Sequence, residues 1–135
     1  MTREEEMLQH VAYAESATNL NSLSQAIFGM TKTLGWIQKD ENGHFIPRSI
    51  PIKIALMHSE LSEALEAARK GEMSNKLLGR TGLEEEYADI IVRVLDSAGE
   101  LNMDIHGTIL AKLRYNASRE DHKLENRNKP GGKKF

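Results

Sequence analysis

Apolar positions along this chain recur at three- and four-residue steps, the period of a helix, and rarely alternate as they would in strands. No proline falls between residues 52 and 129, and that stretch is rich in Ala, Leu, Glu and Lys, which favours helix. The spacing predicts one long or two shorter helices over about 4–36, with a weak point at Thr18-Asn19-Leu20-Asn21. Residues 37–51 read as a connector: Asp40-Glu41-Asn42-Gly43 is turn chemistry, and Pro47 and Pro51 bound a short extended piece. A helix is predicted from near Pro51, a favoured first-turn residue, to Gly71. A Gly-, Ser- and Asn-rich loop covers 71–82. The next helix runs from Thr81 or Leu83 to Leu101, and a break at Asn102–Asp104 leads into a helix over 104–119. The tail from Glu120 to Phe135 has no period. Short connections make the last three helices antiparallel neighbours. The expectation is an all-α, antiparallel helical bundle in one domain spanning 1–135. Its N-terminal helices and connector end at residue 50, its central helices at 119, and a basic tail fills 120–135.

Composition narrows the function classes. Eighteen basic side chains stand against 20 acidic ones, for a net charge of -2, so no global basic field exists for DNA. Cysteine is absent, which excludes disulfide scaffolds, thiolate zinc sites and cysteine nucleophiles. No apolar run reaches the ~20 residues of a membrane span. The opening Met-Thr-Arg-Glu-Glu-Glu lacks the apolar region of a secretory signal. A soluble, cytoplasmic protein is expected.

The candidate chemistry is carboxylate chemistry. In the 51–71 helix, Glu60 and Glu63 lie about 60° apart. Ile52, Leu56 and Ala67 flank them on the wheel, so the acids interrupt a stripe that would otherwise be core. Buried acids need a cation or donor beside them. In the next helix Glu86 and Asp89 have the same spacing, and they share a polar stripe with Arg93, Asp96 and Glu100. Taken alone, that stripe is a solvated face near a helix N-terminus. Opposite Glu60 and Glu63 it becomes half of a hard-oxygen cage, the ligand set of Mg²⁺, with Mn²⁺ as a substitute. A bundle-type di-iron site would want Glu-x-x-His on helices, and the only such spacing, Glu41 to His44, crosses the Asn-Gly turn.

The 104–119 helix carries Ile105, Ile109, Leu113 and Ala117 as one stripe. Asn116 falls within it, flanked by Lys112 and Arg119. An amide edged by two cations suits anion binding. From Lys112 onward, eight basic residues face three acids, and the mobile-looking end Pro130-Gly131-Gly132-Lys133-Lys134-Phe135 has the composition of a closing flap. Only Tyr115 and Phe135 interleave these charges with aromatics, which argues against nucleic acid.

Glu60-x-x-Glu63, then Glu86-x-x-Asp89 after 22 intervening residues, then Lys112-x-x-Tyr115-Asn116-x-x-Arg119 and Gly131-Gly132-Lys133-Lys134-Phe135 occur in that order. In this order and spacing the chain resembles the MazG-like, all-α nucleoside triphosphate pyrophosphohydrolases from Ala55 to Phe135. Ser59 stands where that family often has a second acid. The resemblance implies hydrolysis of a nucleoside triphosphate to monophosphate and pyrophosphate, with Mg²⁺ held by Glu60, Glu63, Glu86 and Asp89. It also implies a homodimer or homotetramer that completes the bundle. On that footing Glu63 orients the attacking water. Lys112, Arg119, Lys133 and Lys134 hold phosphates, and Tyr115 and Asn116 contact substrate. Trp36 lies outside the matched segment; after Leu34-Gly35 it reads either as a ring that stacks on the base or as a core residue. The alternative is a helical oligomer that binds nucleotide or nucleic acid without catalysis.

Overall fold

A computed structural model describes residues 1–118 and 124–133. Among them are six helices: α1 (Arg3–Glu15), α2 (Leu20–Leu34), α3 (Ile50–Lys70), α4 (Gly82–Glu100), α5 (Ile105–Ser118) and α6 (Leu124–Arg127). No strand occurs among the described residues; two isolated antiparallel bridges, Lys39–Phe45 and Met73–Thr81, pin the two longer connections. The all-α class is as predicted. The chain forms two compact units, Met1–Met103 and Asp104–Phe135.

Local chemistry sets the helix ends. Thr2 with Glu5, and Thr81 with Glu84, form reciprocal capping boxes at the starts of α1 and α4. Asn19 and Ser49 cap α2 and α3, and Pro51 occupies the first turn of α3. Gly35 and Gly71 end α2 and α3 in the left-handed region, at φ 79° and 63°, where a Cβ would be strained. The weak point at Thr18–Asn21 is thus a genuine break between α1 and α2. In the connector the Asp40 carboxylate accepts from the Asn42 and His44 amides, each at 2.9 Å, closing the predicted turn.

In the first unit α1 lies on α2, while α2 and α3 both pack on α4. The α2–α4 crossing is close because its residues are small. A Cβ on Gly99 would stand 2.7 Å from the Ser24 carbonyl oxygen, and the buried Ser24 hydroxyl donates to the Leu95 carbonyl across the contact. The fully buried apolar set is short: Ala26, Ile37, Ala64, Leu95 and Ala98. Lys53 and Glu60 are buried with it.

α3 and α4 turn inward faces that hydrophobicity alone would not select in full, although Leu83, Ile90, Val94 and Leu95 of α4 are at least half-buried. α3 turns Lys53, Met57, Glu60, Ala64 and Ala67 inward and leaves Ile50, Ile52, Ile54, Leu56, Leu61 and Leu65 exposed. On α4 the polar stripe from Glu86 to Glu100, which in isolation reads as a solvated face, is turned toward α3, and Tyr87, Ile91 and Val92 are exposed. The reason is complementary charge: Lys53, Glu60 and the connector's Arg48 meet that stripe.

In the second unit, Asp104 caps α5 by accepting from the Gly107 amide at 2.9 Å. The tail, without period in the sequence, contains the single turn α6, whose Arg127 Nε donates to the Lys133 carbonyl at 3.0 Å. Among the described residues no helix is long and apolar enough to cross a membrane.

Candidate metal centre

α3 and α4 run antiparallel, with Lys53 beside Glu100 at one end, Arg93 beside Glu60 in the middle and Ala67 beside Gly82 at the other. The inward stripe of α4 (Glu86, Asp89, Arg93, Asp96, Glu100) steps by three and four residues, so all five charges stay on one face.

At the Glu100 end the charges are matched. Arg48 Nη1 is 2.8 Å from Asp96 Oδ2, and its Nε is 3.2 Å from Glu100 Oε2. Lys53 Nζ also pairs with Glu100, and Thr31 Oγ1 donates to Asp96 Oδ1 at 2.9 Å. Burial alone would push the Glu100 carboxyl up; the hydrogen bond from Lys53, with Arg48, holds it below the ordinary range.

The other end is unmatched. One carboxylate oxygen from each of Glu60, Glu63 and Glu86 lies within 4.8 Å of the others. Glu60 is 7% exposed, and Arg93 Nε donates to its Oε1 at 2.7 Å. Glu60 Oε2 and Glu86 Oε2 are buried and have no hydrogen-bond partner among the described residues. Burial pushes the Glu60 carboxyl up, but the Arg93 hydrogen bond and the neighbouring acids, which share protons with it, bring it below its ordinary value. Glu63 is pushed up, first because its protonated form can donate to Glu60 and then by the Glu60 charge. Glu86 is raised by burial and then by the charges of Glu63, Asp89 and Glu60. Asp89 is raised by burial and by the charges of Glu60 and Glu85. Three acids raised toward protonation, beside an ionised Glu60 whose Oε2 is buried without a donor, form a donor set that could hold a hard divalent cation.

Asp89 is not among the three converging carboxylates. It stands with Glu60 in the wall of an adjoining cavity of about 340 Å³, which Trp36, Arg48, Arg93 and Asp96 also line. A second cavity, about 370 Å³, shares Trp36, Arg48, Arg93 and Asp96 and adds Ile46, Pro47, Ile52, Lys53 and Leu56. The two share a wall, and Trp36 lines both, facing Glu60 and Asp89 across this groove in the first. Trp36 is 70% exposed and is therefore a wall of this groove, not a core residue.

Elsewhere, Lys112, Tyr115 and Asn116 lie on α5, with Lys112 Nζ 4.9 Å from the centre of the Tyr115 ring. Asn116 Oδ1 is buried and has no hydrogen-bond partner among the described residues. Lys133 belongs to the second unit, whereas Arg119 and Lys134 lie outside the described residues. Arg48 and Lys53 were not legible as site residues: each is a lone cation in sequence, one in the connector and one early in α3. Arg93 was visible on the α4 stripe, but in isolation that stripe reads as a solvated face. No family model, curated protein or solved structure matches this chain.

Proposed function

We propose that this chain is a Mg²⁺-dependent nucleoside triphosphate pyrophosphohydrolase of the MazG-like class. The observation that carries the reading is the convergence of Glu60, Glu63 and Glu86 around two buried oxygens that lack partners. Together with Asp89 they are the residues that would hold Mg²⁺, or Mn²⁺ in its place. When bound, the metal would neutralise polyphosphate charge and lower the pKa of water.

The chain's own residues supply the remaining functions. Glu63, the exposed member of the trio, orients the water for in-line attack. Trp36, which lines both cavities, offers an aromatic face for the base, with Ile46, Pro47 and Ile52 as apolar walls of the second. Lys112, Tyr115, Asn116, Arg119, Lys133 and Lys134 are assigned to the polyphosphate and sugar by the motif resemblance. The uncovered apolar faces of α3 and α4 support a homodimer or homotetramer, and light scattering that returned the mass of a single chain at micromolar concentration would reject it.

The test is a screen of the common ribo- and deoxyribonucleoside triphosphates with Mg²⁺, reading monophosphate and pyrophosphate. Stoichiometric release of both, lost on chelation, is the expected result. Nucleotide binding without turnover would replace this reading with a non-catalytic binding protein.

A further inference from the structure

Three cations face the α3–α4 seam, and they are held differently. Arg48 and Lys53 are engaged by Asp96 and Glu100. Arg93 has one hydrogen bond among the described residues, from Nε to Glu60 Oε1 at 2.7 Å. Its side chain is 40% exposed against 22% for Arg48, and it borders both the cavity containing Glu60 and Asp89 and the cavity behind Trp36. A guanidinium joined to a buried carboxylate through one contact, with open groove on both sides, is positioned to move.

We propose that Arg93 is an exchangeable counter-cation: it holds Glu60 while the acids carry no metal, and it turns into the groove to bind a substrate phosphate once a divalent cation takes that carboxylate. This rests on reading the acids as a metal site. Two features of the geometry favour it. A divalent cation held by Glu60 would share that carboxylate with the guanidinium, whose Nε is 2.7 Å from Glu60 Oε1, and like charges at that range repel. The released guanidinium keeps a planar fork of donors that matches phosphate oxygens, and the groove it enters also holds Arg48, whose Nη2 is buried and has no hydrogen-bond partner among the described residues. Arg93 would thus convert metal binding into affinity for the polyphosphate, which keeps the metal-free protein from holding nucleotide unproductively.

A role confined to stabilising or orienting Glu60 predicts the opposite sign in metal binding, so the two are separable. The experiment uses the full chain as wild type, Arg93→Gln and Arg93→Lys, with Mn²⁺ binding followed by calorimetry in the absence of nucleotide. Arg93→Gln should bind Mn²⁺ about fivefold more tightly, because the competing cation is gone, and Arg93→Lys should stay near wild type. With Mg²⁺ saturating, inorganic pyrophosphate should bind Arg93→Gln about tenfold more weakly, the loss of one charge-assisted contact. Wild type that binds no Mn²⁺ overturns the metal reading and this proposal together. Wild type that binds Mn²⁺ while Arg93→Gln binds it equally or more weakly overturns the Arg93 role alone. A measurement on unmutated protein covers the case in which Arg93→Gln does not fold. The Arg93 Nε–H resonance, assigned by its absence from Arg93→Lys, should be protected from exchange in chelator and lose that protection when Mg²⁺ is added; protection that Mg²⁺ leaves unchanged overturns the proposal.

Discussion

Two clusters of charge lie along the α3–α4 seam, about two helical turns apart, and they resolve their charge in opposite ways. At one, Arg48 and Lys53 meet Asp96 and Glu100, the charges cancel, and the Glu100 carboxyl is held in its ionised form. At the other, Glu60, Glu63, Glu86 and Asp89 have Arg93 as their paired cation, and three of the four acids are pushed toward protonation. Both draw acids from α4, and what differs most is the stoichiometry of cations to acids. A matched cluster ties the connector to α4 and needs nothing further. An unmatched one sets like charges against one another and raises three of its carboxyls toward protonation.

That contrast is open to direct attack. The largest effect is expected at the unmatched end. Glu60→Gln or Asp89→Asn should lower Mg²⁺-dependent turnover about a thousandfold, equivalent to about 4 kcal/mol of transition-state stabilisation. Helical content by circular dichroism should stay intact. Retained activity in both variants would remove the four-acid reading. In the matched cluster the expected loss is of stability, not chemistry. Glu100→Gln leaves Lys53 buried and unpaired, which costs about 3–5 kcal/mol; Lys53→Met should cost less, since Glu100 keeps Arg48. Urea unfolding in chelator should show that loss while Mn²⁺ affinity stays at the wild-type value.

A further substitution separates the groove from both clusters. Trp36→Ala should raise KM about tenfold, within the ~1–3 kcal/mol of a base–aromatic stack. Because the ring is mostly exposed, unfolding stability should change by less than about 0.5 kcal/mol. A KM that does not move would take Trp36 out of the substrate site.

The smallest expected effect is in the pH dependence of stability, and its sign distinguishes the clusters. Glu63, Glu86 and Asp89 have folded-state pKa values raised above those of the unfolded chain. In chelator the folded state therefore binds protons more tightly, and stability should rise as pH falls through those raised values toward about 4. Glu60 and Glu100 are depressed, so their contribution is present above the unfolded value and is lost as pH falls through their lower folded values. Melting temperature in chelator should therefore climb modestly as pH falls through the raised values and drop below about 4, the ordinary carboxyl range. Saturating Mg²⁺ should reverse the first slope, since protons and metal compete for the same oxygens. Glu86→Gln should flatten that slope in chelator, whereas Glu100→Gln should leave it unchanged.

Much of this molecule was determined by local sequence. The helix ends at Asn19, Gly35, Ser49, Pro51, Gly71 and Thr81 follow from capping and backbone chemistry that a few neighbouring residues decide. The Asp40–Gly43 turn does so as well. The pairing of Glu60 and Glu63 on one helix and of Glu86 and Asp89 on the next was legible because helical period is a local property. What tertiary structure decided was which face of each helix is inside. A wheel ranks faces by hydrophobicity and would have buried Ile52, Leu56, Tyr87 and Ile91, all exposed here. It would have left Glu86 through Glu100 in solvent. Burial of a charge depends on its partner, and the partners of that stripe, Arg48, Lys53 and Glu60, come from segments 33 to 52 residues away. No local pattern encodes that meeting, because it exists only once α3, α4 and the connector have closed on one another.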